Sequence, residues 1–262
     1  MDNESPLKAI IVVAATALVC SILVTAAAVS LQPIQQAYQD LERNRILVRI
    51  SGAGDAVDEM SDRQVIAAFQ NLDARLVDLD RGVFDETYNP NTFDARKAAA
   101  PQQFTVVIPD DQDVAGLGRR SSLVTVYLVQ EGDELQRVIL PVYGQGMWST
   151  LYGFIAIEND LNTIADMTIY GQEETPGIGD RILRPDWQAR WRGRKLYDEQ
   201  SVFRFRISQG DIEPDSPAAV YQVDGLTGAT VTINGLMNVM RYWFGPHGFA
   251  TFLKNFSTTG GS

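Results

Sequence analysis

The sequence predicts an α+β domain, an antiparallel-rich mixed sheet with packed helices, carried behind one N-terminal transmembrane helix. Three observations lead there. Ala9 to Leu31 is a run of 23 residues without a charge. From Phe104 to Ser208, short apolar or alternating segments follow one another across turns, without the strict strand–helix alternation of a Rossmann domain. Near the C-terminal end, a glycine-rich stretch, DGLTGATVT (Asp224 to Thr232), runs into an apolar segment with helical spacing.

As a helix the uncharged run spans about 34 Å, enough to cross a hydrocarbon core of about 30 Å. It is longer than the apolar region of about 7–15 residues in a cleavable signal peptide, although Ala26, Ala27, Ala28 and Ser30 imitate a cleavage site. Residues 9–31 are therefore expected to form a retained single span after a short tail, residues 1–8. Pro33 is expected to end or kink that helix. Residues 32–100 are expected to be a juxtamembrane and helical region packing on the domain. Within them SGAGD (Ser51 to Asp55) reads as a break, and Ser61 with Gln64 forms a capping box. Val65, Phe69, Leu72 and Leu76 then predict a helix from Asp62 to Asp78. YNPNT and the PQQ after Ala100 mark loops.

The domain proper is expected over residues 101–256. Phe104–Ile108, Leu123–Gln130, Leu135–Tyr143, Leu151–Ile157 and Ile164–Tyr170 read as strands, with EGDE (Glu131 to Glu134) as a hairpin turn. A helix is expected to start near Pro185, with Trp187 and Trp191 one turn apart. Val202–Ser208 alternates as a half-buried strand, and Ile233–Phe244 reads as the closing helix. Residues 257–262 are expected to be a flexible tail.

Composition excludes several functions. About 230 residues remain beyond the anchor, enough for a real core. The net charge of −11 argues against nucleic-acid binding, which selects a basic footprint. Cys20, inside the span, is the one cysteine, so the domain has no disulfide, thiolate nucleophile or cysteine metal site. His247 is the one histidine. A Ser-His-Asp hydrolase would have to use it, and a histidine-rich metal site is excluded. In FGPHGF it reads as a turn residue. Lys8 precedes the span and Arg43, Arg45 and Arg49 follow it, a weak signal for a cytoplasmic domain.

Four constellations carry possible chemistry. In GQGMWSTLYG (Gly144 to Gly153), glycines bracket Trp148, Ser149 and Thr150. Either something flat approaches Trp148, or this is a tight strand connection with a core tryptophan. In EETPGIGD (Glu173 to Asp180), Pro176-Gly177 is a turn with Glu174 and Thr175 at its rim, or a plain solvated loop. Arg181, Arg184, Arg190, Arg192, Arg194 and Lys195 form a basic cluster that faces a headgroup, a phosphate or an acidic partner, or is a solvated face. In DGLTGATVT the glycines uncover the backbone beside three threonines at a helix entry, where free N–H groups and the helix dipole favour a phosphate. An ordinary Thr-capped helix gives the same pattern.

The D-x-x-T-G-A-T pattern of Asp224, Thr227, Gly228, Ala229 and Thr230 resembles the flavinylation motif of bacterial FMN-binding redox subunits. G-x-G-x-W-S, then E-T-P-G-x-G, then D-G-x-T-G-A-T, in that order behind an N-terminal anchor, resembles the NqrC family, the anchored FMN-bearing subunits of Na⁺-translocating NADH:quinone oxidoreductases. Gln145, Met147 and Glu173 depart from that pattern, where Lys, Leu and Gly are expected. The resemblance implies an FMN-binding domain with FMN joined by a flavin transferase, through a phosphoester, to Thr230. It implies Trp148, Leu226 and Ile178 as walls for the ring, and Ser149, Thr150, Glu174 and Thr175 as polar contacts. Gly177, Asp224, Thr227, Gly228 and Ala229 complete the implied cofactor site, with no catalytic residue and no metal. It further implies electron relay between partner subunits of a sodium-pumping complex, and a periplasmic domain on a single-pass protein of the bacterial inner membrane. Alternatives are the FMN subunit of an Rnf-type ferredoxin:NAD⁺ oxidoreductase and a non-redox membrane-anchored binding or assembly protein.

Overall fold

The computed structural model describes residues 6–93, 104–208, 210, 212, 213 and 215–259. The expected PQQ loop, most of the 1–8 tail and residues 260–262 lie outside them. The chain divides into two compact units at Asn44/Arg45. Helix α1 (Pro6–Val48) supplies the described part of the first unit as far as Asn44, its last turn belongs to the second, and it runs on through Pro33 instead of ending there. An interior proline costs a helix about 3 kcal/mol, and the helix-forming QQAYQDLERN that follows carries α1 past it. Ile10, Ile11, Val12, Val13, Leu18, Val19, Ile22, Leu23 and Val24 are each more than half exposed on this helix.

In the second unit, α2 (Asp62–Gln70) starts at the predicted capping box, where the Ser61 N–H donates to Gln64 Oε1 at 2.9 Å. It stops at Gln70 rather than Asp78, and β1 (Asp73–Asp78) follows. Leu72 and Leu76 continue a helical spacing, but Leu76 and Val77 are both buried, one on each side of a strand paired to β5 (Leu123–Glu131). Long-range pairing has overridden the local pattern. The segment 32–100 thus supplies β1 and β2 (Val83–Asp85) to the main sheet, beyond the helical packing expected of it.

The short antiparallel pair β3 (Thr105–Val107) and β4 (Arg119–Ser121) stands apart from that sheet. The main sheet has the order β2-β1-β5-β6-β7-β8, with β6 (Glu134–Gln145), β7 (Thr150–Glu158) and β8 (Ile164–Gly171) where the alternation placed strands. Every pairing in it is antiparallel. Next come α3 (Pro185–Gln188) and a 3-10 turn at Ala189–Trp191; the Trp187 and Trp191 rings meet edge-on at 5.6 Å. The strand expected over 202–208 is shorter: β9 (Arg206–Ser208) pairs in parallel with β10 (Gln222–Asp224), while Phe205 is buried against Trp191. Helix α4 (Thr230–Trp243) follows β10. His247 lies exposed in the turn before α5 (Ala250–Thr259), which extends over 257–259, where a tail was expected.

The sheet buries both faces. Val124, Val126, Val138, Leu140, Ile155 and Met167 pack with α4, α5 and the tryptophans at 187, 191 and 243. Tyr127, Ile139, Phe154 and Ala165 pack on the other side with Leu47, Ile50, Phe69 and Leu72. The β6–β7 turn, the loop after β8 and the start of α4 are the parts from which the site is built.

Candidate functional site

The three segments meet at Glu174. Its side chain is 4% exposed. Oε1 accepts the backbone N–H groups of Met147 and Trp148, each at 3.0 Å, and more distantly that of Ser149 at 3.4 Å. Oε2 accepts the Thr232 hydroxyl at 2.5 Å, and Thr232 is 1% exposed. The neighbouring groups are tied in the same way: Ser149 Oγ accepts the Glu173 N–H at 2.7 Å, and Thr175 Oγ1 accepts the Trp148 indole N–H at 3.0 Å. Thr150 starts β7 opposite Gln145. Glu174, expected at the rim of a solvated turn, is thus a buried acceptor joining the β6–β7 turn to α4.

Glycine roles differ from the expected access for a flat group. A Cβ at Gly144 would lie 2.7 Å from Val239 Cγ2 of α4, and one at Gly146 2.5 Å from Glu174 Oε1. A Cβ at Gly235 would lie 2.6 Å from the Gln145 carbonyl oxygen. These positions let α4 and the carboxylate pack closely. Trp148, by contrast, is 66% exposed, and Met147 and Ile178 are exposed as well.

The glycine-rich stretch leads from β10 into α4. Gly225 and Gly228 help line a cleft of about 390 Å³ with Gly210, Asp224, Leu226, Thr227, Thr230 and Ile233. Gly228 has φ +85° with open space where a Cβ would be, so the backbone turns there in a conformation that favours glycine. Ala229 is buried and precedes Thr230, the first residue of α4, whose side chain is exposed. Of the three threonines, Thr232 is buried and bonded to Glu174, leaving Thr227 and Thr230 accessible. Thr230 alone of these two stands in the first helical turn, where unpaired N–H groups gather. A phosphate esterified to that hydroxyl and to a second alcohol fits the open, glycine-walled cleft and the positive end of α4.

Sequence reasoning missed the supports beneath this stretch. The Trp187 indole N–H donates to the Asp224 carbonyl at 2.7 Å, and Arg190 pairs with the Asp224 carboxylate at 3.2 Å. Arg181 donates to the Thr227 carbonyl at 3.0 Å. Arg184 pairs with Asp186, Arg192 with Asp166, and Arg194 donates to the Ala219 carbonyl. Most of the basic cluster is therefore engaged inside the domain. Only the strong turn signals on either side hinted at such wiring.

A model of the FMN-binding domain matches residues 146–245, which take in all three segments. The chain is 40% identical to the NqrC subunit of the Na(+)-translocating NADH-quinone reductase of Pseudomonas aeruginosa, over 97% of each chain. It belongs to the NqrC family of Na⁺-translocating NADH-quinone reductase subunits. Identity to the corresponding subunit of Vibrio alginolyticus is 38%, over 96% of this chain and 95% of that one. The crystal structure of Shewanella oneidensis NqrC superposes with a TM-score of 0.73 at 31% identity, covering 83% of this chain and 97% of that one. Membership of the NqrC family thus accounts for the α+β sheet and for the order of the three segments.

Proposed function

We propose that this chain is the FMN-carrying electron-transfer subunit of a Na⁺-translocating NADH:quinone reductase, with FMN joined by a phosphoester to Thr230. The observation that carries the attachment is the exposed Thr230 hydroxyl at the first position of a 14-residue helix, beside a glycine-walled cleft. When bound, FMN supplies the capacity to take up and release electrons. The chain supplies the rest. Gly228 leaves open space beside the phosphate, Gly225 lets the stretch lie against the Ser208 carbonyl, buried Ala229 turns into the core, and the first N–H groups of α4 face the phosphate. Asp224, fixed through Trp187 and Arg190, and Thr227, fixed through Arg181, hold the stretch in shape. Trp148, Leu226 and Ile178 serve as walls for the ring. Ser149, Thr150, Thr175 and Gly177 shape its polar edge, and Glu174 holds them.

A flavin transferase is the maturation partner, and other subunits of the reductase are the electron donors and acceptors. The isolated chain should show no turnover. Among the described residues α1 is the one helix long and apolar enough to cross a membrane, with a mean hydropathy of 2.6 over its best window. Its exposed apolar side chains are stable only in lipid or against other apolar helices. We place residues 9–31 across the bacterial inner membrane as a single span, with the domain on the periplasmic side. The weak arginine signal to the contrary precedes a long domain, which translocates largely regardless of charge.

The test is direct. The full-length chain is produced with a flavin transferase, denatured and run on a gel. The band should fluoresce, and Thr230→Ala should abolish the fluorescence. A dark wild-type band with the mass of the bare chain would refute covalent FMN. A fluorescent Thr230→Ala band would move the bond to Thr227.

A further inference from the structure

Three exposed features of the proposed site lie on three separate segments: the Trp148 indole, Ile178 and the Thr230 hydroxyl. Each is tied within a short chain of bonds to one buried side chain. Glu174 Oε1 holds the backbone of Trp148, and Thr175, next to Glu174, accepts both the Trp148 indole N–H and, through its carbonyl, the Ile178 N–H at 3.1 Å. Glu174 Oε2 holds the hydroxyl of Thr232, two residues after Thr230. The carboxylate is seated in a socket with no spare room. A Cβ at Gly179 would lie 2.8 Å from both Glu174 Cβ and Thr232 Oγ1, and one at Gly146 would lie 2.5 Å from Oε1.

A buried carboxylate is costly unless hydrogen-bonded, and here the donors come from two chain segments, the β6–β7 turn and the first turn of α4, that lie far apart in sequence. We infer that Glu174 is a positioning residue for the cofactor. It buckles the β6–β7 turn and the loop after β8 to the first turn of α4, and it places a fixed negative charge beside the attachment helix. The inference rests on the reading of Thr230 as the flavin-bearing residue. It departs from the expectation that Glu174 touches the ring, because both carboxylate oxygens are engaged by the chain itself.

Two consequences separate this role from a merely structural one. Reduction adds negative charge to the flavin, so a nearby fixed anion lowers its midpoint potential. The buckle also couples groups that do not touch: Thr232 contacts neither the Met147 nor the Trp148 amide, yet it clamps the oxygen pair that holds them.

Amide hydrogen exchange is followed in the bare full-length chain in detergent, and the midpoint potential in the flavin-loaded chain. Glu174→Ala should accelerate exchange at the Met147 and Trp148 amides about tenfold or more, since each loses a bond to a charged group. Thr232→Val should accelerate the same amides by a smaller factor. Glu174→Gln, which preserves volume and one acceptor oxygen, should raise the midpoint potential while leaving the flavin covalently attached. Unchanged exchange in both Glu174→Ala and Thr232→Val would overturn the buckle. An unchanged potential in a loaded Glu174→Gln chain would overturn the charge role. Should Glu174→Ala fail to fold, Thr232→Val and Glu174→Gln decide the matter alone. A wild-type chain without covalent flavin would sink the proposed function, while exchange in the bare chain would still decide the buckle.

Discussion

Substituting Gly235 sets two opposed effects against each other. In an exposed helix, Gly→Ala stabilises by about 1 kcal/mol through helix propensity. In α4 the new Cβ would stand 2.6 Å from the Gln145 carbonyl oxygen and 3.1 Å from Gly146 Cα, both backbone atoms of the β6–β7 turn. Relaxing the first contact to an ordinary 3.4 Å requires a shift of about 0.8 Å between helix and turn. A flexible side chain would swing aside; backbone held by sheet pairing does not. Overpacking of this kind costs typically 1–3 kcal/mol, and the upper half of that range applies to a backbone clash. The net result is a destabilisation of about 1–2 kcal/mol, or a melting temperature lower by about 2–8 °C for a domain of this size. Thermal unfolding of the bare chain in detergent, followed by circular dichroism, measures it. A melting temperature equal to or above that of the wild type would show that α4 does not press on the turn. The account of the glycines as packing positions would then fail.

Other substitutions test separate parts of the site and its support. Trp148→Ala removes an exposed side chain, so stability should change by less than about 0.5 kcal/mol; the emission of the covalent flavin should rise as a ring wall is lost, and unchanged emission would remove Trp148 from the site. Arg120 is buried, donating to the Tyr242 hydroxyl at 3.1 Å and pairing with Asp80 at 2.6 Å. Arg120→Leu should cost about 1–3 kcal/mol in urea unfolding, and adding Tyr242→Phe should recover part of it, because the orphaned hydroxyl goes too. Burial pushes the phenols of Tyr197 and Tyr242 above their ordinary value of 10.0, for Tyr242 against the opposing charge of Arg120. Their neutral forms therefore support the fold fully below about pH 10, and that support is lost as pH rises through the folded-state values. Urea midpoints should fall above about pH 10, and fall less in Tyr197→Phe; identical alkaline profiles would refute the assignment.

The sheet was readable where burial is two-sided and turns are strong. EGDE marked the β5–β6 hairpin and alternation marked β7 and β8, because alternation and turn chemistry are local properties. β1 was not readable. Val65, Phe69, Leu72 and Leu76 keep one helical stripe, and only pairing with β5, some 50 residues further on, makes 73–78 a strand. The site divides in the same way. The proposed attachment stretch stands out through glycines beside threonines, whereas Glu174 looked like a rim acid next to Pro176-Gly177. Its burial depends on amides 26 and 27 residues away and on a hydroxyl 58 residues away, which no local pattern encodes. The resemblance pointed to Thr230, and the engaged Thr232 hydroxyl supplies a physical reason to set Thr232 aside.

The order of the main sheet has a bearing on how the molecule is made. From β5 to β8 each strand pairs with the next along the chain, and β1 and β2 add at the β5 edge. Contacts of such short sequence separation form early and cheaply in loop entropy. Helix α4 follows all six of those strands in the chain, and its buried face needs the finished sheet to dock on. The Thr230 hydroxyl therefore comes to rest beside its cleft only on a completed scaffold. Under the proposed attachment, covalent loading would double as a proofreading step, because a chain that has failed to close its sheet would offer a transferase a loose peptide instead of a formed pocket.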